Sequence, residues 1–205
     1  MSAAAGFQDI SPTTLADILG REQVMDIGVR PLWPGIARVA GPAFTVRCGP
    51  GDNLMLHAAI YRAEPGSVLV VGAGDTDYAL AGGNVCAIAQ RRGISALITD
   101  GVIRDVAEVR ESGFPVFARG VIPVPGAKLI VSPLGGRVRC GGVDVDGGDI
   151  VVADEEGVAV VPAARRDEVL TDAQERQDLE AAESLEQWQR RHHALVEKLL
   201  SEGGS

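Results

Sequence analysis

Three short runs, VLVV within the strand at 66–74, ISALI at 94–98 and PVF within the strand at 115–120, restrict what this chain can fold into more than any other feature. Each is too short for a stable helix and lacks the polar alternation of a half-wetted strand. Each therefore reads as a strand buried on both faces. GGNVCAIAQRRG (82–93) and a stretch from about Asp105 to Glu111 fall between them and read as helices. Strand–helix–strand order predicts parallel pairing with helices laid against the sheet. Upstream, Ser11 and Pro12 open a helix over 11–19, and GPAFTVRC (41–48) is a further strand. Asp52 caps a helix over 51–63 that carries Leu54, His57, Ala58 and Tyr61 on one face.

From residue 135 the pattern changes. GGRVRCGGVDVDGGDIVVADEEGVAVVP (135–162) alternates short valine-rich runs with Gly and Asp turns, the signature of β-hairpins, with DEEG as one turn. The order predicts one α/β domain over residues 1–162 whose sheet is not purely parallel. Residues 163–201 contain neither Gly nor Pro, so residues 163–205 form a helical extension of that domain, one long helix or two in succession. Leu185, Trp188, His192, Leu195 and Leu199 repeat at 3,4 spacing. Such a seam buries itself against its own domain or a partner helix, and a subunit contact is the favoured expectation.

Composition removes several function classes. A net charge of −9 excludes the basic face that nucleic-acid binding needs. No apolar run approaches the ~20 residues of a membrane span, and the N-terminus has no basic segment leading into an apolar core. The cysteines, Cys48, Cys86 and Cys140, are too scattered for a zinc knuckle. Reduced cysteines in a cytoplasmic protein are expected.

Chemistry concentrates in two places. Gly82 and Gly83 open a helix, leaving the N–H groups of Gly83, Asn84 and Val85 pointing outward as an anion site. Arg104 and Asp105 follow the next strand. If the two strands are neighbours, both features converge on one crevice at their carboxyl ends. A guanidinium there suits a substrate carboxylate, and an aspartate suits Mg²⁺ or Mn²⁺. Neither lysine, Lys128 in a loop or Lys198 in the terminal helix, has the enclosed setting that a Schiff base requires. His57, on an apolar helix face, reads as a packed residue. The glycines after VLVV lack the third glycine of a dinucleotide site.

GGNVCAIAQRRGISALITDGVIRD, with GPAFTV, GDNLMLHAAI, GSVLVV, FPVFARG and GGVDVDGGDIVVADEEGVAVVP in the same order, resembles the RraA-like proteins. These include 4-hydroxy-4-methyl-2-oxoglutarate/4-carboxy-4-hydroxy-2-oxoadipate aldolases, and the likeness spans roughly residues 10–182. It implies a compact α/β/β sandwich similar to a swivelling phosphohistidine domain, assembled as a homotrimer or a hexameric dimer of trimers, with active sites between subunits. It further implies a class II aldolase that uses a divalent metal to cleave a 4-hydroxy-2-oxo diacid to pyruvate and a keto acid, or to decarboxylate oxaloacetate. By position, Arg104 would bind the substrate and offset enolate charge, Asp105 would ligate the metal, and the backbone from Gly82 to Val85 would hold the pyruvyl carboxylate. Glu180 would reach a neighbouring subunit's metal-bound water. Where metal-dependent relatives carry an acid, this chain has Gly83, so either metal affinity would fall or the acid would come from Asp75, Asp77 or Asp100. The alternative implied by the family is a non-catalytic regulator of the ribonuclease E inhibitor type. Nothing in the sequence supports an S-adenosylmethionine site, although some relatives carry a menaquinone methyltransferase label.

Overall fold

The computed structural model describes residues 4–203. Its strands are β1 (Arg30–Pro31), β2 (Val39–Arg47), β3 (Val68–Gly72), β4 (Ala96–Thr99), β5 (Val102–Ile103), β6 (Val116–Ala118), β7 (Gly120–Val121), β8 (Val138–Cys140), β9 (Val143–Val145), β10 (Ile150–Asp154) and β11 (Gly157–Val161). The helices are α1 (Pro12–Leu19), α2 (Leu54–Ile60), α3 (Gly83–Arg91), α4 (Val106–Ser112), α5 (Arg166–Ala182) and α6 (Leu185–Gly203).

Seven strands form one sheet in the order β1-β6-β4-β3-β2-β10-β11. The four central strands, β6, β4, β3 and β2, are parallel, as their uninterrupted apolar character requires. β10 joins β2 antiparallel, and β11 returns from β10 through the turn after Asp154. The segment before β2 nearly closes the sheet, because Val24 bridges Ala159 on β11 while Arg30 and Pro31 pair with β6.

Three clusters make up the core. Helices α2, α3 and α4 pack Leu56, Cys86 and Val109 against one face, with Leu69 and Leu97 beneath them. The hairpin β8–β9 covers the other face with Val138, Cys140, Val143 and Val145, giving the α/β/β layering. Helices α1 and α5 close the β10–β11 end through Leu15, Val169 and Ala173. α5 is therefore part of the body. α6 is not: of its described residues only Val196 is partly buried, and Leu185, Trp188, Leu195 and Leu199 are exposed. Trp188 and His192 stack on each other at 4.5 Å. This excludes the chain's own body as the partner of the 3,4-spaced seam.

Candidate active site

β3 and β4 pair in parallel, so the segments that leave them emerge at the same edge of the sheet. One segment leads to α3 and the other, through β5, to Arg104 and Asp105. The Arg104 N–H donates to the Ala81 carbonyl at 2.9 Å, which docks the second segment against the glycines that open α3. Asp105 then takes a left-handed backbone, φ 56°, the only non-glycine residue among those described to do so. For an L-residue this costs roughly 1–2 kcal/mol, least for Asp and Asn. It turns the carboxylate back onto α3, where it accepts the Gly83 N–H at 3.2 Å.

The glycines are needed for space. A Cβ on Gly82 would lie 2.4 Å from Asp105 Oδ2, and one on Gly83 would lie 2.0 Å from Glu108 Oε2. Two missing side chains thus admit two carboxylates to the start of α3.

Arg104 and Asp105 approach to only 3.5 Å, Nε to Oδ2, with side chains 42% and 38% exposed. No hydrogen bond links them, and the guanidinium makes none elsewhere among the described residues. The pair is the wet floor of a cavity of about 80 Å³ that is open to solvent. Gly82, Asn84 and Val85 line the same cavity. The N–H groups of Asn84 and Val85 have no acceptor among the described residues, whereas that of Gly83 is taken by Asp105. The expected anion site therefore contracts to two donors, and Gly83 is a buried spacer.

Asn53, His57 and Lys128 also line this cavity, which the sequence reading did not foresee. The apolar helix face predicts a packed residue at position 57. His57 is half-buried; burial, followed by the charge of Lys128, lowers its pKa below the ordinary 6.5, with Asp52 opposing. Lys128 is exposed and forms no ion pair among the described residues. Asn53 is buried, and its amide donates to the Ala79 carbonyl at 3.3 Å while its Oδ1 has no partner. The signals for these residues were the Asp-Asn turn before α2, the i,i+4 spacing of Asn53 and His57, and a lone loop lysine. None of these links residue 57 to residue 128.

The acids named as substitutes at position 83 are engaged elsewhere. Asp100 accepts the N–H groups of Ala73 and Gly141, and Asp75 and Asp77 line a separate crevice. Glu108, on the first turn of α4, fills the space instead. Glu180 does not reach the cavity of its own chain; it pairs with Arg176 on α5. No group of three or more His, Cys, Asp or Glu residues able to hold a metal occurs among the described residues. The carboxylates of Asp105 and Glu108 at the start of α3 are hard oxygen donors of the type that Mg²⁺ or Mn²⁺ takes.

Fold and site together define the class, an α/β/β protein with a small, cation-lined cavity at the carboxyl edge of its parallel strands. Residues 12–160 match the RraA-like family, described as Aldolase/RraA, and the chain belongs to that family. It is 36% identical to "Putative 4-hydroxy-4-methyl-2-oxoglutarate aldolase" of Halalkalibacterium halodurans, over 86% of this chain and 85% of that one. A crystal structure of a protein from Pseudomonas syringae pv. tomato superposes with a TM-score of 0.79 at 25% identity, covering 92% and 93% of the two chains. Streptomyces coelicolor RraAS2, an unusual member of the RNase ES inhibitor RraA protein family, superposes with a TM-score of 0.76 at 28% identity, covering 87% and 94%. No helix among the described residues is long and apolar enough to cross a membrane.

Proposed function

We propose that this protein is a class II lyase that cleaves a 4-hydroxy-2-oxo diacid, or decarboxylates oxaloacetate, by way of a pyruvate enolate. The observation that carries this reading is the convergence on one small cavity of a carboxylate, a guanidinium and two N–H groups, the last two without a hydrogen-bond acceptor among the described residues. The N–H groups of Asn84 and Val85 receive the pyruvyl carboxylate. Arg104 forks onto that carboxylate and the C2 oxygen, where negative charge grows as the C3–C4 bond breaks. Lys128 receives the distal carboxylate. His57, held neutral by burial and by Lys128, takes the proton of the 4-hydroxyl. Asp105, with Glu108 from the first turn of α4, would hold a divalent cation, whose chemistry there is Lewis-acid polarisation of the C2 carbonyl.

The relative's aldolase name supports this reading, as does the retention of Arg104 and Asp105 in a wet crevice. The likeness to RraAS2 supports the alternative, a non-catalytic regulator on the same scaffold. The two separate in one experiment. Purified protein is assayed for pyruvate release from oxaloacetate and from 4-hydroxy-4-methyl-2-oxoglutarate, with Mg²⁺, with Mn²⁺ and with excess chelator. Metal-dependent release is expected. Release unaffected by chelator would sink the class II mechanism, and no release from either substrate would favour the regulator. The unpartnered seam of α6 belongs to the same reading, as a contact in a homotrimer or hexamer to which Glu180 would contribute from a neighbouring subunit.

A further inference from the structure

Lys128 sits in the long connection between β7 and β8, where no strand holds the backbone in place. Leu129 and Val131 beside it are 81% and 80% exposed, so apolar burial does little to fix this stretch. Backbone bonds to Gly51, Asn53 and Ala79 hold residues 126 and 127, and beyond Lys128 the order comes from Asp52, a buried residue that does not line the cavity. Its Oδ2 accepts the N–H groups of Leu129, at 2.5 Å, and Ile130, at 3.2 Å. Its Oδ1 accepts the Leu54 N–H at 2.9 Å, at the start of the helix that presents His57. Residue 52 also bridges Ala127, and the Asn53 N–H donates to the Ala127 carbonyl at 2.8 Å. The Asp52 carboxylate, together with these backbone bonds, thus joins the lysine loop to the first turn of α2. Burial alone would raise its pKa, but the backbone donors and the charge of Lys128 outweigh burial and hold it below the ordinary carboxylate value.

We infer that Asp52 is a positioning residue for substrate recognition: by clamping residues 129 and 130 to the start of α2, it holds Lys128 over the cavity to meet a distal carboxylate. The inference rests on the proposed role of Lys128 and extends it to a residue that touches no substrate. Charge-assisted hydrogen bonds are the strongest that a loop of this kind has available. Asn at position 52 is nearly isosteric, but it must turn an N–H₂ group toward N–H donors on one side or the other. The loop, the helix cap or both are then released.

The test compares two probes by calorimetry in the presence of Mg²⁺. Pyruvate lacks the distal carboxylate, and 2-oxoglutarate carries one but has no 4-hydroxyl to cleave. Asp52→Asn should weaken 2-oxoglutarate by about tenfold, the equivalent of ~1.4 kcal/mol, while pyruvate binds as in the wild type. Lys128→Ala should show the same selective loss, and the double variant should lose no more than either single one. Turnover should follow the same split, with KM for the diacid raised. Unchanged 2-oxoglutarate binding in Asp52→Asn, beside a loss in Lys128→Ala, would overturn the positioning role and leave the reading of Lys128 intact. Equal losses for both probes, or additive losses in the double variant, would also overturn it. No effect of Lys128→Ala, or no wild-type preference for 2-oxoglutarate over pyruvate, would refute the distal-carboxylate reading itself. If Asp52→Asn does not fold, Asp52→Ser serves, since its hydroxyl still reaches the Leu54 N–H but not the loop.

Discussion

Replacing Arg104 with Lys separates a site floor from a structural ion pair. The pair it forms with Asp105 is long and half exposed, with no hydrogen bond between the partners. An exposed pair of this kind contributes about 0–1 kcal/mol. The remaining anchor is the Arg104 N–H to Ala81, which a lysine keeps. The aliphatic stem lies against Gly82, where the arginine Cγ is 3.0 Å from the place of a Cβ, and a lysine stem fills the same groove. The melting temperature should therefore fall by no more than about 2–4 °C, the equivalent of ~1 kcal/mol for a chain of this length. Catalysis should suffer far more. Lysine keeps the charge but loses the planar fork, and losing one charge-assisted hydrogen bond of about 1.5–3 kcal/mol slows the reaction roughly 10- to 150-fold. The assay is kcat/KM for pyruvate release, measured beside thermal unfolding of the same preparation. A melting temperature lowered by ~8 °C or more, with near-normal turnover per folded molecule, would refute the reasoning.

Three further outcomes follow. His57→Gln should reduce kcat for a 4-hydroxy substrate by about 10²–10⁴ and affect oxaloacetate, which has no hydroxyl proton to remove, much less. Since the His57 pKa is lowered, wild-type turnover should hold down to pH 6.5 and fall below it as the imidazole protonates; an acid limb that persists in the glutamine variant would reject His57 as the proton acceptor. Gly83→Ala should displace the Glu108 carboxylate, whose Oε2 is 2.0 Å from the new Cβ, and weaken Mg²⁺ binding as much as Glu108→Gln does; titration calorimetry showing full affinity in both variants would remove Glu108 from the metal site. Truncation after Ala182 should leave the unfolding of the body intact, because α6 buries almost nothing against it, but should reduce oligomer size in light scattering; an unchanged size would show that the seam joins no subunits.

How far the sequence reaches can be seen by comparing Arg104 with Lys128. The runs VLVV and ISALI are buried on both faces, and that alone dictates adjacent parallel strands and a shared carboxyl edge. Gly82, Asn84 and Val85 follow the first of these strands and Arg104 and Asp105 follow the second, so local order was enough to bring them together. The hairpins from 135 to 161 were legible for the same reason, since turn residues and alternating valines act over short range. Element ends were less so: α2 begins at Leu54 and α4 at Val106, because the Asp52 carboxylate that accepts the Leu54 N–H and the left-handed Asp105 decide where each helix starts. Glu108 at the place of the residue 83 side chain, His57 facing a cavity and Lys128 beside it depend on contacts between elements that no periodicity encodes. Asp52 and Leu129 are 77 positions apart, and only the packed sheet brings them within a hydrogen bond. The α6 seam is the converse case. The sequence specifies an apolar stripe, and the fold shows that the chain's own body leaves it uncovered, because α5 already occupies the β10–β11 end where a terminal helix would pack.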